Sequence, residues 1–288
     1  MQTARTIEAV REAFDAARSR GDRVGCVMTM GALHAGHRSL MVAARKACGF
    51  VVATIFVNPT QFGPGEDFDR YPRTTEDDLA ACEAEGVDLV FLPDVETMYP
   101  PDADTVVTVT NTAAPLEGRH RPGHFDGVTT VVLKLLNIVQ PDAAYFGQKD
   151  YQQVAVIRRM VADLNVRTAI ETCPTLREDD GLAMSSRNRY LSATERETAL
   201  CIYRAINAAA NRLADGETDL EQVRQAMWAG LTAHKDVRVQ YASVADADTL
   251  EELKQPAGRM LVSVAAYVGD TRLIDNAVVE LTEPKEQT

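Results

Sequence analysis

The chain has 288 residues and a formal net charge of −12, from 30 Lys and Arg against 42 Asp and Glu. With 45% hydrophobic and 25% charged residues it has the makeup of an ordinary globular protein, long enough for about two domains with sizeable cores. The acidic balance and the lack of a Lys/Arg-rich run exclude a large nucleic-acid footprint, so a phosphate group must find a local positive pocket inside a repulsive overall field.

Five cysteines (Cys26, Cys48, Cys82, Cys173 and Cys201) are scattered and form no C-x-x-C pair. That pattern fits reduced thiols of a cytoplasmic protein better than disulfides or a zinc site. The opening stretch MQTARTIEAVREAFDAARSRG reads as an amphipathic helix carrying acids rather than as a signal sequence. No apolar run approaches the ~20 residues that span a bilayer.

Helix and strand signals then alternate along the chain. A helix over 5–20 precedes strand 23–29 and a helix over 37–48. Strand 50–57, helix 75–86 and strand 87–93 follow, then a Pro/Asp-rich stretch and a short strand over 105–110. Helix 127–140, strand 143–147, helix 150–164 and strand 166–173 complete this part. Strands 50–57 and 87–93 are apolar on both faces, as in a parallel sheet covered by helices. The alternation predicts an α/β fold, a doubly wound parallel sheet over residues 1–175. After that the rhythm changes. Ser192 and Glu195 form a capping box ahead of a helix to 214, a second helix spans 219–234, and strands follow near 237–244, 260–268 and 272–281. Residues 176–288 therefore form a smaller C-terminal α+β domain.

The stretch MTMGALHAGHRSL, residues 28–40, places His34 and His37 where the first core strand turns into a helix. In open parallel sheets ligands sit beyond the carboxyl ends of the strands. Gly31 and Gly36 let backbone N–H groups approach a ligand there, and the helix dipole favours negative charge. Two imidazoles beside those donors suit a polyphosphate. The same two histidines also suit a plainer role, one as a helix cap and the other as a solvated turn residue.

The rest of the chain weighs on that choice. TMGALHAGH, FVNPTQF, YPRT, RPGHFDGV, FGQKDYQQ and DGLAMSSRN occur in order across nearly the whole length. Together they resemble the pantoate–beta-alanine ligases (pantothenate synthetases), members of the H-x-G-H nucleotidyltransferase superfamily with a Rossmann-like ATP site. The resemblance implies condensation of (R)-pantoate with beta-alanine to pantothenate through a pantoyl-adenylate, with ATP as co-substrate and Mg2+ as cofactor. It also implies a cytoplasmic homodimer, a small-molecule enzyme with neither nucleic acid nor membrane as partner.

Carried over residue by residue, the resemblance assigns the ATP-binding motif to Met30, Gly31, Ala32, Leu33, His34, Ala35, Gly36 and His37. His37 matches the family's proton donor; His34 and His37 are read here as stabilisers of charge on the α-phosphate and the leaving pyrophosphate. A carboxylate nucleophile is already ionised at pH 7, so no general base is required. Gly147, Gln148, Lys149 and Asp150 match a second nucleotide segment, in which Lys149 supplies a point charge and Asp150 caps the next helix or accepts from the ribose. Met184, Ser185, Ser186 and Arg187 match a mobile phosphate-binding segment, with Leu176 as a backbone contact upstream. His34, His37, Lys149 and Arg187 are thus the residues expected to carry the chemistry.

Gln61 and Gln153 match the pantoate contacts, Gln61 also serving beta-alanine, and Asn58 and Tyr71 are expected to join that pocket. Amide side chains orient a carboxylate and bind hydroxyls without the opposing charge of an arginine. The loop over 116–128 concentrates Arg119, His120, Arg121 and His124, and reads either as a solvated loop or as a lid that keeps water from an acyl-adenylate. Two positions depart from the family. Met28 stands where Pro is usual, which softens the turn, and Gln148 stands where Glu is common, which removes a side-chain role there. Two other readings stay open: an adenylyltransferase of the same superfamily whose product keeps the AMP, and a nucleotide-binding protein without turnover.

Overall fold

The computed structural model describes residues 1–281, in two compact units: Met1–Ala113 with Arg121–Leu176, and Ala114–His120 with the residues from Arg177 on. Residues 282–288, counted above in the second domain, lie outside the described residues.

The chain runs through β1 (Gln2–Ala4), α1 (Ile7–Ser19), β2 (Val24–Thr29), α2 (Ala35–Ala47), β3 (Phe50–Ile55), α3 (Thr75–Ala84), β4 (Leu89–Phe91) and α4 (Val95–Met98). The short helix α5 (Glu117–His120) belongs to the second unit. The first unit resumes with α6 (His124–Val139), β5 (Ala143–Gly147), α7 (Tyr151–Asp163) and β6 (Ala169–Cys173). Its six strands are all parallel, in the order β1-β4-β3-β2-β5-β6, so the expected doubly wound parallel sheet is the observed one.

The side-chain period of two explains why the central strands look apolar throughout. In β3, Phe50 and Val52 join Val10 and Phe14 of α1 and Leu135 and Leu136 of α6 on one face. Val51, Ala53 and Ile55 turn the other way, onto Leu40, Met41 and Ala44 of α2.

Two segments differ from expectation. Residues 2–4, inside the opening stretch expected to be helical, pair with β4, Gln2 opposite Leu89 and Ala4 opposite Phe91. Three residues are too few to display a period, and Thr6 then caps α1 by accepting from the Ala9 amide at 3.3 Å. The expected strand over 105–110 is outside the sheet. Thr130 Oγ1 accepts from the Val107 amide at 2.9 Å and Thr129 Oγ1 donates to the Val107 carbonyl at 2.5 Å, so two helix hydroxyls supply what a neighbouring strand would.

The second unit places α8 (Ala193–Ala214) and α9 (Leu220–Thr232) against an antiparallel sheet of β7 (Val237–Asp246), β8 (Arg259–Val268) and β9 (Thr271–Glu280). Ile202, Ile206, Val223 and Met227 of the helices share a core with Val244, Val262 and Val264 of the strands. The capping box is present, Ser192 Oγ accepting from the Glu195 amide at 3.3 Å and Glu195 accepting from the Ser192 amide at 2.8 Å. Ala114–His120 is held in this unit by Glu117, which takes both Arg272 guanidinium ends at 2.7 Å and the Tyr241 hydroxyl at 2.8 Å. Such a pairing links residues 155 apart in sequence and leaves no periodic trace.

Within the first unit, α6 meets the turn at Pro59–Gln61 so closely that a Cβ on Gly127 would lie 2.4 Å from the Thr60 carbonyl oxygen and 2.6 Å from the Gln61 nitrogen. Backbone atoms cannot rotate away as a side chain end can. Gly127→Ala is therefore expected to lower the stability of the folded chain by about 1–3 kcal/mol, the usual cost of overpacking. Urea unfolding checks this, and an unchanged midpoint would contradict the close approach.

Candidate active site

Strand order reverses between β2 and β5, and a crevice opens beyond the carboxyl ends of the strands at such a point. The two expected nucleotide segments follow those two strands: Met30–His37 after β2, and Gly147–Asp150 after β5, with Gln148–Asp150 forming a 3-10 turn. Met28, expected to soften the turn, lies in β2 opposite Thr54.

The turn after β2 contains two successive left-handed residues, Gly31 at φ +83° and Ala32 at φ +49°. Five amides between Gly31 and Gly36 find acceptors inside the protein. Gly31 donates to Thr29 Oγ1 at 3.2 Å, while Ala32 and Leu33 donate to the two Asp78 carboxylate oxygens at 3.0 and 2.8 Å. The His34 amide donates to His37 Nδ1 at 3.3 Å and the Gly36 amide to His34 Nδ1 at 3.1 Å. The Gly31 and Gly36 amides are thus directed to acceptors within the protein itself.

The two imidazoles share one tautomer. Each Nδ1 accepts a hydrogen bond, so in the neutral ring the proton sits on Nε2. His34 is the N-cap of α2, which starts at Ala35 rather than at residue 37, and the two rings lie 4.1 Å apart, tilted by 34°. His34 thus caps the helix, as in the plainer reading, while His37 is half-buried and accepts from the His34 amide rather than standing as a solvated turn residue. Burial, followed by the neighbouring His34, brings the His37 pKa down to about 3; Asp150 pulls it up and Lys149 pushes it down further. The charges after β5 thus act on the imidazole after β2. Lys149 Nζ lies 3.3 Å from Asp150 Oδ1, and Asp150 stands at the N-cap of α7 without making a side-chain capping bond, so the capping role expected for it is not seen.

Beyond β3, Asn58 and the 3-10 turn Pro59–Gln61 carry two of the residues expected to hold the carboxylate substrate. Asn58 is only 1% exposed, and its amide is used up internally. Its Nδ2 donates to Gln61 Oε1 and to the Gly127 carbonyl, both at 3.1 Å, and its Oδ1 accepts from the Tyr99 hydroxyl at 2.9 Å and the Thr60 hydroxyl at 3.0 Å. Asn58 therefore fixes Gln61 rather than offering a contact of its own. Gln61 Nε2 in turn points at Met30 Sδ, 3.1 Å away, which brings a residue expected to bind pantoate against the first residue expected to bind the nucleotide. Tyr71 is buried with its ring edge-on to Phe62, and Gln153 is half-buried in the first turn of α7.

The loop after residue 120 is firmly paired. Arg121 grips Glu66 through Nε and Nη2 at 2.7 and 2.6 Å, and its Nη1 lies 2.9 Å from His124 Nε2. His124 Nδ1 lies 2.8 Å from the Gln61 carbonyl, which can only accept. Arginine can only donate, so His124 is neutral with its proton on Nδ1. Burial alone would raise the Glu66 carboxyl, but Arg121 and the Gly63 amide hold it below its ordinary value. Of the two readings of this loop, the solvated one does not hold for Arg121 and His124.

In the second unit, Ser185 Oγ accepts from the Arg187 amide at 3.3 Å and opens the 3-10 turn Ser186–Tyr190. Asn188 Nδ2 donates to Glu178 at 3.2 Å and to the Ala183 carbonyl at 3.1 Å, tying the two ends of Met184–Arg187 together. Leu176, 39% exposed, is the last residue of the first unit. Sequence reasoning misses Asp78 and Asn188. For Asp78 a signal exists: it shares a helix face with the buried Cys82, four residues on, where a solvated acid has no place.

His37 has a pH consequence. Its folded pKa, about 3, lies below the unfolded value, so the unfolded chain binds more protons as pH falls through 6.5 and stability drops down to about pH 3. His37→Asn keeps an acceptor where Nδ1 sits but cannot charge. Between pH 6 and 4 its stability is expected to fall less steeply, by up to about 1.4 kcal/mol per pH unit. Parallel urea titrations check this; equal slopes would mean that His37 titrates normally in the folded state.

The same geometry can be set beside known proteins. A family model described as pantoate-beta-alanine ligase matches residues 2–278. Pantothenate synthetase of Moorella thermoacetica is 53% identical over 283 residues, 98% of this chain and 100% of that one. Pantothenate synthetase of Thermus thermophilus, a crystal structure, superposes with a TM-score of 0.91 at 45% identity over 96% of this chain and 99% of that one. Pantoate-beta-alanine ligase of Francisella tularensis, crystallised with beta-gamma ATP and beta-alanine, has a TM-score of 0.77 at 34% identity over 96% and 97% of the two chains. With the family model matching residues 2–278 and a doubly wound sheet carrying the paired histidines at its switch point, this chain belongs to the pantoate–beta-alanine ligase family.

Proposed function

We propose that this pantothenate-forming ligase works through a pantoyl-adenylate, using ATP, (R)-pantoate and beta-alanine and releasing pyrophosphate and then AMP. The observation that carries the reading is the pair of neutral imidazoles at the switch point, each with its proton on Nε2, with Lys149 acting on one of them. These are donors suited to an oxyanion whose charge grows during reaction, and they need no reorganisation to act. A histidine with a pKa of about 3 donates a hydrogen bond at neutral pH and has no extra proton to give, so His37 acts as an electrostatic stabiliser rather than as a general acid.

In the first step a pantoate carboxylate oxygen attacks the α-phosphorus, and the bond from that phosphorus to the α,β-bridging oxygen breaks with loss of pyrophosphate. Gln61, its Oε1 held by Asn58 and its carbonyl by His124, is assigned to pantoate and beta-alanine, and Gln153 to pantoate. In the second step the amine of beta-alanine attacks the acyl carbon, loses a proton and displaces AMP. Met30–His37, Gly147–Asp150, Leu176 and Met184–Arg187 are assigned to ATP. Among the described residues no three His, Cys, Asp or Glu gather as a metal cage. Magnesium, when bound with the nucleotide, would supply positive charge to the phosphate oxygens. The reading includes a cytoplasmic homodimer; among the described residues no helix is long and apolar enough to cross a membrane.

Pantoate labelled with heavy oxygen in its carboxylate is expected to pass one label to AMP and none to pyrophosphate, because the attacking oxygen becomes the bridge to AMP. Mass spectrometry of the products checks this. Label in inorganic phosphate, with ADP as co-product, would overturn the adenylate route. An adenylyltransferase would keep the AMP in its product, and a binding protein would make none.

His37→Asn, which keeps the cap acceptor and deletes Nε2–H, is expected to slow pyrophosphate exchange into ATP by about 10²–10³, as for a lost oxyanion donor. ATP binding should weaken far less. Unchanged exchange would reduce His37 to a helix cap.

A further inference from the structure

Asp78 is a carboxylate only 2% exposed, buried beneath the turn that carries the two histidines. Its Oδ2 accepts from the Ala32 amide at 3.0 Å; its Oδ1 accepts from the Leu33 amide at 2.8 Å and from the Thr74 hydroxyl at 3.2 Å. Thr74 stands at the N-cap of α3 yet makes no capping bond, its hydroxyl being turned to Asp78 instead. Ala32 is a non-glycine residue at φ +49° and fully buried, a conformation that persists only when the surroundings over-determine it. A Cβ on Gly31 would lie 2.9 Å from Asp78 Oδ2 and 3.1 Å from Ile55 Cγ2, so turn and carboxylate fit each other closely.

Charge-assisted bonds from a buried carboxylate to backbone amides are strong, and two of them on successive residues fix the peptide planes between. The next residue is His34, whose amide and ring set the position of His37. We propose that Asp78 is a positioning residue for adenylate formation: its carboxylate takes the place of a bound anion in the turn after β2 and thereby orients the Nε2–H groups of His34 and His37. The inference rests on the reading that those groups meet the nucleotide. It differs from a metal-binding role, since both carboxylate oxygens already accept from the turn.

The test uses Asp78→Asn, which keeps the shape but turns one acceptor into a donor facing an amide, with Asp77→Asn on the exposed neighbour as control. Pyrophosphate exchange is measured over a range of pantoate concentrations at saturating ATP, together with the ring ¹⁵N signals of His34 and His37. The expected result is a loss in kcat of about tenfold to a hundredfold, the scale of a misplacement near one ångström, with KM for pantoate little changed and both ring signals shifted. Thr74→Val, which removes only the hydroxyl, should show the same changes to a smaller degree and serves if Asp78→Asn does not fold. Unmoved ring signals in a folded Asp78→Asn or Thr74→Val protein would overturn the proposal, as would a loss fully restored by excess magnesium. Wild-type protein without exchange, but with ring signals that move in the variants, would instead refute the adenylate reading and leave the positioning role standing.

Discussion

The part of the candidate site that lies in the first unit depends on β2 pairing in parallel with β3 on one side and β5 on the other. Chain connections leave this pair in opposite directions, through α2 and α3 toward β4 and through α7 toward β6, so their carboxyl ends are not closed over by a crossover. Residues about 110 apart in sequence, His37 and Lys149, thereby come to act on one another electrostatically. The sheet can hold this arrangement because helices cover both faces and its strands are apolar on both.

Around that opening the protein uses its backbone amides differently from a glycine-rich phosphate loop. A helix N-terminus commonly offers several unsatisfied N–H groups to an anion. Here Asp78, Thr29 and the two histidine rings accept from five amides between Gly31 and Gly36, and the proposed donors to a nucleotide are the Nε2–H groups instead. An imidazole that is part of the helix cap is held in place and in tautomer by the bond that makes it a cap. Capping and donation are therefore two uses of one ring rather than rival explanations of it.

The neighbouring pocket follows the same rule of one fixed donor behind another. Asn58, saturated by Gln61, Gly127, Tyr99 and Thr60, contributes orientation. Glu66, Arg121 and His124 form a chain that ends on the Gln61 carbonyl, so the amide side chain is held from one end and the backbone from the other. Supporting residues of this kind are what keep a site within the narrow tolerance that catalysis demands.

Much of this was legible in the sequence. The run of apolar residues in β3, the β-α alternation and the Ser192–Glu195 box are local signals, set by periods and spacings of a few residues, and the structure follows them. The position of His34 and His37 at a strand-to-helix junction was equally local. What tertiary structure alone decided was where the hydrogen bonds went. Gln2–Ala4 became a strand because β4 had an edge to pair, and the Val107 segment stayed out of the sheet because Thr129 and Thr130 met its backbone first. Asp78 shares a helix face with Cys82, which points to burial, but only folding set it under residues 46 and 45 positions away. A buried polar group must be matched, and its partner is whatever folding brings within reach, which no local period records.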